Sequence, residues 1–266
     1  DQGLTRSYYV YLPNDLPANA PLVFILHGYG GSASSYVNNS SLTFKQLAEE
    51  YKVALCYPQA TSDPKSKNGW NVYYPWQIDN MKVDDCEFIC NLAKHLQTTY
   101  NLSAKNTFFT GMSNGGEMCY LMAYRKPNEF GAIASMAGLT LVEMTKRHNY
   151  DSPVAFMEVH GTGDTTSRWE GDPTDQYGWG AYLAVPVAVE AVAAAKAKGV
   201  KISCDLNYRG KLWTRAEARE AMTKLCEYVD VCISNEEDAK DVFGIEAEAT
   251  DIYGGKLNHE GYKSVA

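Results

Sequence analysis

The residues best placed to do chemistry lie in TGMSNGGEMCY, residues 110–120, where Ser113 is the centre of a G-x-S-x-G pentapeptide from Gly111 to Gly115. A serine hydroxyl attacks a carbonyl only when a base takes its proton, so the pattern calls for a histidine and for an acid to orient it. The apolar run NTFFT precedes the pentapeptide and the helical stretch GEMCYLMAYRKP follows it. Between a strand and a helix, the glycines permit a sharp turn that lifts the serine above the sheet edge. The N–H of Asn114 then faces the same space and can donate to an oxyanion. A second donor is expected from the glycine-rich HGYGGS, which begins at His27, with the N–H of Tyr29 as candidate.

The order nucleophile, acid, base points to Asp164, in HGTGD after the apolar run PVAFMEVHG. Asp151 precedes that run and would sit at the wrong edge of a parallel sheet. Of the five histidines, His27 belongs to the oxyanion segment and His95 to a helical stretch, and His148 and His160 both precede Asp164. His259, in GGKLNHEGYK, is the one that follows and is the candidate base. The aromatics Trp70, Tyr73, Tyr74 and Trp76 could form a platform for an aromatic acyl group or a sugar ring, or could be buried packing residues.

These residues need elements to carry them. RSYYVYLP, APLVFILHG, VALCYPQA, NTFFTG, GAIASMAG and PVAFMEVHG read as strands, most of them continuous apolar runs of the kind buried on both faces. FKQLAEEYK, CEFICNLAKHLQTTY and GEMCYLMAYRKP read as the helices between them, with KRHNYDS as a surface segment before the last strand. The alternation predicts an α/β fold, a mostly parallel sheet with helices on both faces, whose ligands bind beyond the carboxyl ends of the strands.

Composition narrows the rest. The chain has 266 residues, 45% of them hydrophobic, and a net charge of −8, which leaves no basic stripe for nucleic acid and nothing to hold an anionic membrane. The apolar run AYLAVPVAVEAVAAA is interrupted by Pro186 and Glu190 and falls short of the roughly 20 residues of a membrane span. No charged and apolar leader opens the sequence, so the chain is either not exported or read after a leader has been removed. The seven cysteines are odd in number and lack C-x-x-C spacing, which suggests unpaired thiols and no metal. No cofactor is expected.

Across residues 1–184, YVYLP, LHGYGGS, CYPQA, GWNVYYP, VDDCEFI, GMSNGGEM and HGTGD occur in the order of the feruloyl and acetylxylan esterases, a group similar to polyhydroxybutyrate depolymerases, which this part resembles. The resemblance implies an α/β-hydrolase fold, Ser113 as nucleophile, Asp164 as triad acid, an oxyanion hole near Tyr29 and Asn114, and small or polysaccharide-linked esters of plant cell-wall sugars as substrates. It also favours secretion. Esterases of this group deliver their histidine on a G-G-G-H loop followed by Trp-Pro, and this sequence has no such motif.

Residues 185–266 resemble something else. AVEAVAAAKAKGVKISCDLNYRGKLWTRAEAREAM, YVDVCISNEEDAKDVFGIEAE and GGKLNHEGYKSVA are similar to an internal piece of ribokinase-like sugar kinases, nearest to 2-keto-3-deoxygluconate kinases. The resemblance implies that Asp205, Asn207 and Arg209 belong to a sugar site and Asn235–Asp238 to a phosphate and magnesium site. That family's amino-terminal sugar-binding half and its G-A-G-D element are missing, so phosphoryl transfer is not expected. The chain therefore reads as an esterase core, 1–184, fused between Gly180 and Gly199 to a kinase-like fragment, 185–266, whose helix and strand could complete the hydrolase sheet. Exposed edges of such a fragment could drive homo-oligomers.

Overall fold

The structure, a computed structural model, describes residues 2–39, 42–148, 152, 154–161, 164–184, 203–205, 214–227, 229–234 and 236–245. The candidate base His259 lies outside the described residues, as do Asp151, Asn207, Arg209 and Asn235. The chain divides into two compact units, residues 1–200 and 201–266, a later boundary than residue 184.

In the first unit, β1 (Tyr8–Tyr11), β2 (Ala20–Leu26), β3 (Ala54–Pro58), β4 (Leu102–Met112), β5 (Ala132–Met136) and β6 (Phe156–Val159) form one sheet in the order β1-β3-β2-β4-β5-β6. All neighbours are parallel except β1, which pairs antiparallel with β3. The helices are α1 (Ala33–Val37), α2 (Phe44–Tyr51), α3 (Asp85–Tyr100), α4 (Asn114–Arg125) and α5 (Val142–Arg147).

Side chains alternate across a strand, and β2 uses both of its faces. Leu22, Phe24 and Leu26 join a core with Ile89 and Leu96 of α3 and Met118 and Leu121 of α4. Ile25 joins a second core with Ala33 of α1, Ala48 of α2, and Leu55 and Tyr57 of β3. A parallel sheet covered on both sides explains why its strands read as unbroken apolar runs.

The strand order places the site. The chain runs from β2 outward to β3 and then returns to the other side of β2 as β4. This reversal is the switch point at which such sheets bind ligands, and HGYGG and the serine pentapeptide lie there, at the carboxyl ends of β2 and β4. The other ends of the helices are tied by charge. Asp84 caps α3 by accepting from the Glu87 N–H at 3.0 Å, and the Arg125 guanidinium at the end of α4 grips the same carboxylate with bonds of 2.8 and 2.6 Å. Where KRHNYDS was expected to be irregular surface, Lys146 and Arg147 form the last turn of α5, with Glu143 one turn earlier accepting from Arg147 at 2.7 Å.

In the second unit, β7 (Ser203–Asp205), α6 (Arg215–Cys226), β8 (Val231–Ile233) and α7 (Glu236–Phe243) follow the predicted alternation. Among the described residues β7 pairs with β8 in a two-stranded parallel sheet.

Arg6 and Asp85 form a buried pair at 2.7 Å, with side chains 5% and 0% exposed. The Arg6 guanidinium also lies 3.8 Å from the centre of the Phe88 ring. Burial pushes the Asp85 carboxyl up, against the pull of Arg6 and the Asn71 N–H. Replacing Arg6 with Met should therefore cost about 3–5 kcal/mol, because it strands a buried carboxylate. Urea unfolding followed by tryptophan fluorescence should show the corresponding drop in midpoint.

Candidate active site

Ser113 sits between β4 and α4 at φ 54° and ψ −121°, a backbone conformation that a side chain adopts only under constraint. Two hydrogen bonds hold it: its N–H donates to the Met136 carbonyl at 2.8 Å, and its own carbonyl accepts from the Glu117 N–H at 2.8 Å. The flanking glycines are required by space. A Cβ on Gly111 would lie 2.4 Å from the Gly115 carbonyl oxygen, and one on Gly115 would lie 2.7 Å from that of Leu26. Gly28 approaches the Ser113 Cβ so closely that a side chain there would sit 3.5 Å from it. HGYGG and the serine turn are thus in contact, as their sequences suggest. Ser113 remains half-exposed at the rim.

Asn114 opens α4, and its N–H is among those a helix cannot use internally. Its side chain is fully buried: Oδ1 accepts from the Trp70 N–H at 2.8 Å, and Nδ2 donates to the Trp70 carbonyl at 3.3 Å. Three residues on, Glu117 is buried with no cation beside it among the described residues. It accepts from the hydroxyls of Tyr74 and Tyr182, the latter at 2.5 Å, and from Asn114 Nδ2 at 3.4 Å. Burial pushes its carboxyl up to about 7, with those hydrogen bonds opposing.

Asp164 is half-buried beyond β6. Its Oδ1 accepts from the N–H groups of Thr166 and Ser167 at 2.8 and 2.9 Å. His160 closes this loop, since Nε2 donates to the Ser167 carbonyl at 2.6 Å and Nδ1 lies 2.9 Å from Glu158. Burial alone would lower the pKa of His160, but acceptors on both ring nitrogens raise it above its usual value.

The other described histidines are also committed or distant. His27 donates from Nδ1 to the Gly28 carbonyl at 2.8 Å and accepts at Nε2 from the Ala60 N–H at 3.2 Å. Burial holds it below its usual pKa, as the neutral ring. His95 is exposed on α3. His148 bonds Tyr73 at 2.8 Å in a cavity lined by Asn71, Asp84 and Arg125. Arg125 ends the 12-residue α4, so this cavity lies about 18 Å from its serine end.

Two expected platform residues are therefore corrected. Trp70 is 0% exposed, and its Nε1 donates to the His27 carbonyl at 2.9 Å, so it ties HGYGG to Asn114 and offers no surface. Tyr73, at φ 70°, turns away from Tyr74 toward Arg125 and His148. Trp76 is partly exposed in an aromatic cluster, edge-to-face with Tyr29 and Trp179 and tilted by 30° against Tyr74, with ring centres 4.6 to 6.0 Å apart. Asp63 anchors that cluster by accepting from Trp76 Nε1 at 2.6 Å and the Tyr29 hydroxyl at 2.8 Å. Trp179, Asp63 and Glu117 were not singled out from sequence. Nothing in their local spacing separates them from ordinary surface or helix residues.

A parallel sheet with an antiparallel first strand, helices on both faces and a strained serine turn at the switch point define an α/β hydrolase. The fold agrees with the crystal structure of a thermostable esterase, at a TM-score of 0.52 over 99% of this chain and 59% of that one, with 14% identity. Residues 6–169 match the family described as Esterase PHB depolymerase, and the chain belongs to it. Relatives include the bifunctional acetylxylan esterase/xylanase XynS20E of Neocallimastix patriciarum, 25% identical over 64% of this chain and 23% of that one. Feruloyl esterase B of Talaromyces funiculosus is 28% identical over 49% of this chain and 36% of its own length. The probable feruloyl esterase C of Aspergillus oryzae is 27% identical over 64% and 58%. The chain thus spans less than two thirds of each of these curated relatives.

The space requirement at Gly115 has a direct consequence. Gly115→Ala should destabilise the fold by about 1–3 kcal/mol through overpacking. Any hydrolytic activity should fall with it, read as a lower Tm and a lower kcat in the same preparation.

Proposed function

We propose that the chain is a serine carboxylic-ester hydrolase acting on acetyl or feruloyl esters of plant cell-wall carbohydrate through an acyl-enzyme. The strained, half-exposed Ser113 carries this reading, because a backbone at φ 54° wedged against β2 has a cost that an ordinary turn would not incur. Ser113 Oγ attacks the ester carbonyl carbon while the base takes its proton. The N–H groups of Asn114 and Tyr29 stabilise the oxyanion, and the protonated base then gives its proton to the departing alcohol. Water repeats the sequence and releases the acid. Asp164 keeps one carboxylate oxygen for the base, since Oδ1 is occupied by two backbone N–H groups.

His259 is our candidate base. The four described histidines are internally bonded, exposed on α3 or at the far end of α4. The cluster of Tyr29, Trp76 and Trp179 beside the oxyanion segment supports an aromatic acyl group or a sugar ring as the bound portion. The names of the relatives support both ester types, and we extend to this chain the secretion that the resemblance favours. No described helix is long and apolar enough to cross a membrane.

A second reading rests on the absence of a G-G-G-H loop from the sequence: a scaffold that binds such esters but turns them over poorly. The sugar-kinase resemblance of residues 185–266 remains a proposal that rests on the sequence motifs alone.

Hydrolysis of 4-nitrophenyl acetate and methyl ferulate should be measured for the wild type, Ser113→Ala and His259→Ala. Both variants should fall to the residual rate of oxyanion hole and binding, roughly 10³–10⁴ over water. Full activity in His259→Ala would assign the base elsewhere, and an inactive wild type that still binds methyl ferulate would establish the scaffold reading.

A further inference from the structure

Glu117 is an unusual group to find one turn into the nucleophile's helix. It is 1% exposed, faces no cation among the described residues, and meets donors from three places: Tyr74 in the loop after Trp70, Tyr182 in the segment after Asp164, and Asn114 on its own helix. Each donor belongs to something the site needs. Tyr74 packs against Trp76 with ring centres 4.6 Å apart and against Trp179 at 5.7 Å. Tyr182 pairs with both Asp172 and Leu141, and the next residue, Leu183, donates to the Thr140 carbonyl at 3.0 Å, so it ties the segment beyond Asp164 to the end of β5. Asn114 carries the proposed oxyanion donor.

We propose that Glu117 is a positioning residue whose ionised carboxylate ties the start of the nucleophile helix to both walls of the ester site. This deepens the esterase reading and rests on it for its effect on turnover, though not for the tie itself. The reasoning concerns proton inventory. A carboxylate is an acceptor only and can take the two phenolic hydrogens and the amide hydrogen together. A carboxylic acid adds a hydrogen of its own, which one tyrosine hydroxyl must accept while turning its own hydrogen away, so a charge-assisted bond is exchanged for a weaker neutral one. Burial works in the opposite direction, favouring the neutral acid, and the balance holds the group at about 7 against an ordinary 4.5. The tie is therefore complete above neutrality and loosens as the pH falls.

The stability consequence has the opposite sign. The folded carboxyl binds its proton more tightly than the unfolded one, so its contribution to stability is full below about 4.5 and is lost as pH rises to about 7. The arrangement sacrifices stability for a fully held site.

The test uses full-length protein labelled with ¹³C at the glutamate side-chain carboxyls, titrated by NMR, with Glu117→Gln identifying the Glu117 resonance. That resonance should titrate near neutrality, and Tyr182→Phe and Tyr74→Phe should each move its midpoint upward by removing a donor to the ionised form. A resonance that titrates in the ordinary carboxylate range, or a midpoint indifferent to both tyrosine variants, would overturn the tie. For turnover, Glu117→Gln should lower kcat by about 10- to 100-fold, the scale of a slightly misplaced catalytic group, with little change in KM. It should also remove Glu117's share of the fall in Tm expected between about pH 4.5 and 7, so that the variant's Tm falls less than the wild type's over that range. An unchanged kcat with normal titration would reduce Glu117 to a structural role and overturn the proposal. If the wild type hydrolyses no ester, the esterase reading fails while the NMR result still decides the tie. Should Glu117→Gln not fold, the tyrosine variants carry the titration, and the same kcat loss is expected of them below their shifted midpoint.

Discussion

The close approach of β2 and the start of α4 is the constraint on which the site depends. At Gly115 there is no room for a single methyl group between the helix and the carbonyls of Leu26 and His27. Because the chain must leave β4 and enter α4 within that space, Ser113 is driven to a positive φ, and the bond from its N–H to Met136 holds it there. The same approach brings Gly28 against Ser113, so HGYGG and the serine turn share one wall. A looser turn would satisfy the backbone at lower cost but would leave the serine without its neighbours.

Around that point the site is held by carboxylates placed where charge is expensive. Asp63 would be raised by burial alone, yet the donors Trp76, Tyr29 and two backbone N–H groups hold it below the usual carboxylate range. Glu117 is buried more deeply and has three donors where Asp63 has four, and for it burial prevails. The two acids thus settle in opposite directions because burial and hydrogen bonding are balanced differently around them. The first fixes the aromatic cluster beside Tyr29, and the second fixes the helix start and the segment beyond Asp164. His160 does the same for the Asp164 loop through Ser167.

The second unit shows where pattern and packing part company. Its strands and helices fall where apolar periodicity puts them, because short-range pattern decides whether a segment is helix or strand. Which strand pairs with which is decided by long-range contacts. β7 takes β8 as its partner, although its sequence would equally have suited an edge of the larger sheet.

The six strands of residues 1–184 and the three longer helices among them, the parallel character of the sheet and the pairing of Ser113 with HGYGG were legible from the amino-acid sequence alone, because each rests on local period, glycine position or motif order, whereas the short α1 and α5 carry no such period. Only the tertiary structure decided the fate of the aromatics. Trp70 and Tyr73 carry no local mark that separates a platform from a buried strut, and it is the positive φ at Tyr73 that sends adjacent tyrosines to opposite ends of α4. Trp179 joins the cluster from more than a hundred residues beyond Trp76, and Glu117 acquires its environment from Tyr74 and Tyr182, on segments that meet only when the sheet is assembled. Spacing along a chain encodes which face of an element a residue occupies. It does not encode what a distant segment will bring to that face.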